Sequence, residues 1–372
     1  MVVLKYIMNI ICKVGLVIVL LLCISVASCV SCSDNNNGDP IEETEDLPVI
    51  DPPMESTTFK NPILNSGADP WVFKNGDEYL VTFTTGNNVT LIRTNKMSDL
   101  KNAKKKVIWT PPATGLNSKE IWAPELHKIN GIWYVYYAAS DGNNENHRMW
   151  VLENRLIDPF EGTWVDKGEL KLPDNKWAID ASTFELNGQY YIVWSGWEGD
   201  INVRQDIYIA KMDTPLSVVG ERVAIIKPIN SWETNNTSPQ VAEGPQFLLK
   251  NDKVYIFYSA GACWTDGYSI GAITMDVNSD PMNENSWMRL VTNPLFVTNI
   301  SGNAFGPGHN SFFKSLNNDE DWILYHANPQ PGQSCGGNRS MRMQKIDWDN
   351  NGLPILGIPE PLNKDLEKPS GE

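Results

Sequence analysis

Four carboxylates and a histidine recur along the chain at intervals of 55 to 66 residues, each flanked by Pro, Gly or Ala. They are Asp69 in Ala68-Asp69-Pro70, Glu125 in Ala123-Pro124-Glu125, Asp180 in Ile179-Asp180-Ala181, Glu243 in Ala242-Glu243-Gly244-Pro245, and His309 in Gly306-Pro307-Gly308-His309. Carboxylates gathered at a partly desolvated site repel one another and their pKa values separate, so one stays protonated as an acid while another is ionised as a base. That pairing is the outline of glycoside hydrolysis. The same residues could instead cap strands, hold a metal ion or solvent, or line a sugar-binding surface without turnover.

What surrounds each anchor indicates the scaffold. Four residues on stand Phe73, Ile129, Phe184, Phe247 and Phe313, and then the turns Asn75-Gly76, Asn130-Gly131, Asn187-Gly188, Asn251-Asp252 and Asn317-Asn318. Asn-Gly between strand-like runs is a strong hairpin signal, because both central residues take positive φ. Aromatic strands are predicted after the turns at 80–83, 134–137, 191–194, 255–258 and 323–326, with further strands at 91–94, 149–152, 207–212, 270–275 and 341–346. A five-part motif with several short strands per repeat and no long amphipathic helix predicts an all-β fold, a five-bladed β-propeller occupying 59–365 as a single catalytic domain. Its innermost strands surround an axis, so Asp69, Glu125, Asp180, Glu243 and His309 are expected to form one ring at one end. Asp347-Trp348-Asp349-Asn350-Asn351-Gly352 begins like a calcium loop but has Ile358 where a bidentate Glu is required, and reads as a hairpin turn.

The motifs Gly67-Ala68-Asp69-Pro70, Ile121-Trp122-Ala123-Pro124-Glu125, Ile179-Asp180-Ala181-Ser182, Ala242-Glu243-Gly244-Pro245 and Gly306-Pro307-Gly308-His309 together resemble the family-43 glycoside hydrolases, five-bladed propellers that invert the anomeric centre. The resemblance runs from about Asn61 to Pro361. It implies Asp69 as the general base that activates water, Glu243 as the general acid, and Asp180 as the residue that orients Glu243 and raises its pKa. An inverting pair stands about 6.5 to 9.5 Å apart, to leave room for the water. His309 resembles the family's axial histidine, which implies a water or a calcium ion beside it, with no cofactor required. Gly261-Ala262-Cys263-Trp264-Thr265-Asp266 and Tyr325-His326-Ala327-Asn328-Pro329 look closest to the α-L-arabinofuranosidase and exo-arabinanase branch. The implied substrate is terminal arabinose on plant arabinan or arabinoxylan. A β-xylosidase, an endo-arabinanase and a non-catalytic sugar-binding propeller are the alternatives, since loops rather than carboxylates set specificity.

Tryptophan is abundant, 14 against 11 Phe, and flat indoles suit sugar faces. Trp71, Trp122, Trp197 and Trp264 are the stacking candidates, with packing between blades as the competing role. Glu125 joins them as a substrate-binding candidate. Of Arg339 and Arg342, one is expected to bond the substrate or the site carboxylates.

With 45 acidic against 30 basic residues the chain carries a formal net charge of -15, which repels nucleic acid and leaves a neutral polysaccharide untouched. Lys5 and Lys13, an apolar run over 14–24 and the small residues before Cys29 read as a signal peptide spanning 1–28. Val26-Ala27-Ser28-Cys29 resembles a bacterial lipoprotein processing site, which implies Cys29 as the lipidated residue with Cys32 as a second candidate; plain secretion or a retained membrane helix are the alternatives. Residues 29–58, rich in Asp, Glu, Asn and Pro, read as a tether. The expectation is an exported monomer, anchored by lipid to the membrane of a Gram-negative bacterium, at the cell surface or in the periplasm. Cys263 and Cys335, the only cysteines of the body, either pair or stay as separate buried thiols.

Overall fold

The computed structural model describes residues 56–372. The expected signal peptide, Cys29 and nearly all of the tether lie outside the described residues.

Four-stranded antiparallel blades repeat five times. Blade one comprises Ala68–Asn75, Glu78–Thr84, Val89–Thr94 and Lys104–Trp109; blade two, Lys119–Ile129, Ile132–Ser140, Arg148–Asn154 and Val165–Glu169. Blade three comprises Ala178–Leu186, Gln189–Trp197, Arg204–Thr214 and Ser217–Ile226; blade four, Gln240–Lys250, Lys253–Ala260, Ser269–Asp276 and Met288–Arg289. Blade five comprises Phe305–Lys314, Asp321–Asn328, Ser340–Trp348 and Pro354–Ile355. The fold is the expected all-β, five-bladed propeller.

The turns explain the hairpins. At Asn130-Gly131, Asn187-Gly188 and Asn251-Asp252 both central residues have positive φ, the conformation whose twist matches that of the flanking strands. In blade one only Gly76 does so, and in blade five only Asn318. The Asp349 carboxylate accepts the backbone N–H groups of Asn351 and Leu353, both at 2.8 Å, and so forms the hairpin turn that leads into Pro354–Ile355.

Period-two alternation divides each strand between two neighbours. In blade one, Tyr79 and Val81 pack toward Phe313, Leu324 and Met341 of blade five, while Leu80 and Leu91 pack toward Leu126 and Trp133 of blade two. Similar buried clusters fill the other three interfaces. With both faces buried, the strands read as continuous apolar runs such as Tyr134 to Tyr137 rather than as alternating ones.

The circle closes through several devices. Thr58–Phe59 pairs antiparallel with Leu366–Glu367. The buried Asn61 amide donates to the Met343 carbonyl at 2.9 Å and its oxygen accepts the Met343 N–H at 3.0 Å. The folded unit also extends beyond the expected limit at 365, since the Glu372 carboxylate accepts the N–H groups of Met97 at 2.8 Å and Ser98 at 3.1 Å. Blades three and four share a short parallel pairing, Arg204 with Gln240 and Gln205 with Val241.

Candidate active site

Each inner strand breaks register near its start, and the five breaks are equivalent. Pairing skips from Ala68 to Trp71, Trp122 to Glu125, Ile179 to Ser182, Glu243 to Gln246 and Gly308 to Ser311. The first residue inside each break, Asp69, Ala123, Asp180, Gly244 or His309, has a φ between 41° and 59°. Such bulges re-aim side chains, and a left-handed non-glycine residue is strained, a combination concentrated at functional sites.

This register corrects the expected ring. Asp69, Asp180 and His309 occupy the same level, but Glu243 stands one residue earlier, where the other blades carry Ala68, Trp122, Ile179 and Gly308. Glu125 stands two residues later, level with Trp71, Ser182, Gln246 and Ser311. A bulge inserts residues that motif matching by type cannot register. Glu125 is consequently buried away from the cavity, its Oε1 accepting from Gln246 Nε2 at 2.6 Å and its Oε2 lying 3.1 Å from His127 Nε2. It braces the axis and does not line the substrate cavity.

Asp69, Asp180, Glu243, His309 and Arg339 converge on one cavity of about 390 Å³. Arg339 Nη1 donates to Asp69 Oδ1 at 2.8 Å, and His309 Nδ1 lies 3.3 Å from the same oxygen. Burial pushes the Asp69 carboxyl up, but Arg339, the neighbouring histidines and the Thr84 hydroxyl outweigh it and hold Asp69 well below the usual carboxylate range. Asp69 is therefore ionised. Asp180 Oδ2 accepts the Gly244 N–H at 3.1 Å, so it grips the backbone beside Glu243. Burial, then the charges of Glu243 and Asp69, raise the Asp180 carboxyl well above its ordinary value. Burial pushes Glu243 up to about 7, with Asp69 adding to the shift and the Tyr268 hydroxyl and Arg339 opposing it. One carboxylate poised to accept a proton and another poised to deliver one thus face the same space.

The aromatic candidates separate. Trp122 lines the cavity with one face on His147, ring centroids 4.0 Å apart, and Trp264, 41% exposed, lines it beside Cys263. Trp71 and Trp197 do not line it. Trp71 donates its indole N–H to the Leu126 carbonyl at 2.7 Å and packs on His127 between blades one and two. Trp197 lies behind Trp177, stacked at 4.9 Å, and Trp177 is an aromatic wall residue outside the expected set, as are the polar Asn144, Asn202 and Gln205. Arg342 is also corrected: wholly buried, it donates to Ser340 Oγ at 3.0 Å inside blade five, leaving Arg339 as the cation of the site.

Cys263 and Cys335 form a disulfide with Cα atoms 5.2 Å apart, and both line the cavity. It joins loops of blades four and five across 72 residues, a closure that constrains the unfolded chain by about 4 kcal/mol. Asp266, accepting the Gly332 N–H at 2.9 Å, ties the same loops again. The link holds Trp264 and Arg339 on adjacent walls.

The calcium ion considered beside His309 finds a poor donor set. Calcium takes about six to eight oxygens, whereas the Arg339 guanidinium already holds Asp69 and adds positive charge. Among the described residues no three His, Cys, Asp or Glu side chains are grouped to bind a metal.

Gly244 offers a test of the bulge. Ala123 shows that the equivalent backbone accepts a Cβ, but at Gly244 a Cβ would stand 3.1 Å from the His309 ring. Gly244→Ala is expected to cost about 1–2 kcal/mol in chemical denaturation, from the left-handed backbone and the displaced ring, and to lower kcat/KM about tenfold. Unchanged activity would show that His309 and the Asp180 to Gly244 bond tolerate the shift.

Comparison with known proteins follows the same lines. The sequence profile of Glycosyl hydrolases family 43 matches residues 59–354. An extracellular exo-α-(1→5)-L-arabinofuranosidase of Streptomyces avermitilis is 35% identical over 317 residues, 83% of this chain and 65% of that protein. α-L-Arabinofuranosidase 43 of Humicola insolens is 33% identical over 317 residues, 82% of this chain and 64% of that protein. The chain thus spans just under two thirds of the length of these relatives. The crystal structure of an α-L-arabinofuranosidase from Lactobacillus brevis superposes with a TM-score of 0.77 at 31% identity, covering 82% of this chain and 98% of that one.

Proposed function

The chain belongs to family 43 of the glycosyl hydrolases, and on that premise we propose that it is an inverting, exo-acting α-L-arabinofuranosidase that releases terminal arabinofuranosyl residues from plant arabinan or arabinoxylan. The observation that carries the reading is the opposed protonation of two carboxyls on one cavity, Asp69 ionised and Glu243 raised to about 7. The names of the relatives support the arabinofuranosyl choice. A cavity walled by Trp122, Trp177 and the Cys263–Cys335 disulfide supports attack at a chain end.

The placement supports one course for the reaction. Asp69 takes a proton from the attacking water as the water oxygen bonds to the anomeric carbon, the glycosidic bond breaks, and Glu243 gives its proton to the leaving oxygen. Arg339 holds Asp69 in its ionised form. Asp180, through the Gly244 N–H, fixes the backbone that presents Glu243. The disulfide supports an oxidising compartment, and export with a lipid at Cys29, as a monomer, belongs to the same proposal.

The soluble domain is expected to hydrolyse an aryl α-L-arabinofuranoside at least about tenfold faster than the matching β-D-xyloside, with β-arabinose as the first anomer in proton NMR. Xyloside preference would move the substrate assignment, and α-arabinose would overturn inversion. Sugar binding with no turnover of either substrate, or of arabinan oligosaccharides, would leave a non-catalytic propeller.

A further inference from the structure

The acid and the base are joined by a pair of side chains outside the carboxylate set. Tyr268, buried at the end of the disulfide-tied loop, donates its hydroxyl to Glu243 Oε1 at 2.8 Å. Its ring lies parallel to the His326 imidazole, within 5° and with centroids 5.9 Å apart. His326 Nδ1 in turn accepts the backbone N–H of Asp69 at 3.1 Å. A Cβ on Gly308 would come within 2.2 Å of Tyr268 Cε1, so the ring is seated against the bare backbone of blade five, immediately before His309.

We propose that Tyr268 is a positioning residue for the acid: by donating into Oε1 it leaves Oε2 as the oxygen that carries and delivers the proton, and it holds the carboxylate once that proton has gone. The proposal rests on Glu243 being the general acid. A protonated carboxyl has one O–H and one acceptor oxygen, so a fixed donor on Oε1 selects between two otherwise equivalent placements of the proton. During cleavage the proton passes from Oε2 to the leaving oxygen as its bond to the anomeric carbon breaks, while Tyr268 keeps its own proton. The Tyr268 hydrogen bond then becomes charge-assisted and roughly twice as strong, a gain realised only as the acid ionises.

The surroundings favour a neutral donor. Burial raises the Tyr268 hydroxyl well above its ordinary value, as do the facing charges of Glu243, Asp180 and Asp69. Around Glu243 stand Asp69 and Arg339, with Asp180 and His309 completing the cluster. Burial keeps both His309 and His326 below the ordinary histidine value. Among these groups Tyr268 is the neutral hydrogen-bond donor on the Glu243 carboxyl, and the Arg339 charge also favours its ionised form.

Tyr268→Phe retains the ring against His326 and removes only the donor. With arabinan oligosaccharides its kcat should fall about 10- to 100-fold with KM within about twofold, and the alkaline limb of kcat/KM should move up by about one pH unit. An aryl arabinoside with a good leaving group should lose less than about threefold, because it needs little protonation. A profile coincident with wild type, or an equal loss on both substrates, overturns the proposal. Should Tyr268→Phe unfold at lower temperature, 3-fluorotyrosine placed at 268 strengthens the donor instead, and the limb must then move down; a stationary limb is again fatal. Glu243→Gln measured in parallel separates the layers. If it retains oligosaccharide hydrolysis, the acid assignment itself fails; if it loses it while Tyr268→Phe behaves as wild type, only the role of Tyr268 fails.

Discussion

Asp69→Asn is expected to lower kcat/KM on arabinan oligosaccharides by about three orders of magnitude, the middle of the range of about two to four for loss of a general base. The amide still accepts from Arg339 but cannot take the proton of the attacking water, so the loss should fall on kcat and leave KM close to wild type. Azide, a nucleophile with no proton to shed, should restore turnover of an activated aryl arabinoside and give a product of inverted configuration. Rescue without inversion, or a loss confined to KM, would remove Asp69 from the role of base. The acid limb of the wild-type profile follows with its sign. In the proposed role Asp69 acts ionised, and Arg339 and its neighbours hold its carboxyl well below the usual range. The limb should therefore lie below about pH 4, the ordinary carboxylate value, and Arg339→Met should move it upward. An acid limb at or above pH 5 would contradict the 2.8 Å pairing of Arg339 with Asp69.

What the sequence disclosed was local, and what it concealed was set by distant parts of the chain. Asn130-Gly131 and Asn187-Gly188 declare their hairpins because positive φ is a property of the dipeptide itself. Asp69, Asp180 and Glu243 stand out because an ionisable residue between Ala, Gly and Pro interrupts otherwise apolar strand starts. The bulges carry no such signature. Glu125 shares the composition of the other anchors yet lies two residues along from the level of Asp69 and Asp180, which decides whether it meets substrate or Gln246. Trp71, Trp197 and Arg342 have residue types suited to sugar and were claimed by packing between or within blades. Tyr268 lies 25 residues from Glu243 and reaches it across the strands of blade four, while His326 lies 257 residues from Asp69, a partner that only closure of the propeller brings to it. Trp177 stands three residues before Asp180, at the head of an inner strand, and that position was the available signal for a wall residue.

Glu243→Gln tests the other half of the chemistry, and its diagnostic is the dependence on leaving group. Gln keeps an oxygen to accept from Tyr268 but has no proton to deliver. Hydrolysis of arabinan oligosaccharides should fall by about two to four orders of magnitude, whereas a dinitrophenyl arabinoside, whose leaving group departs as an anion, should lose about tenfold or less. As the proposed acid Glu243 acts in its protonated form, and burial pushes its pKa up to about 7, so kcat/KM should decline as pH rises through about 7. Gln cannot titrate, so that limb should vanish from the profile measured on the activated substrate. Asp180 and Glu243 titrate as a pair, and Asp180→Asn separates them. It retains an acceptor for the Gly244 N–H but cannot titrate. Since burial and the neighbouring carboxylates hold Asp180 protonated well above the ordinary carboxylate range, the alkaline limb of Glu243 should remain, with the activated substrate spared more than the oligosaccharide. If the limb stays in Glu243→Gln and disappears in Asp180→Asn, the roles are exchanged, and Asp180 rather than Glu243 delivers the proton.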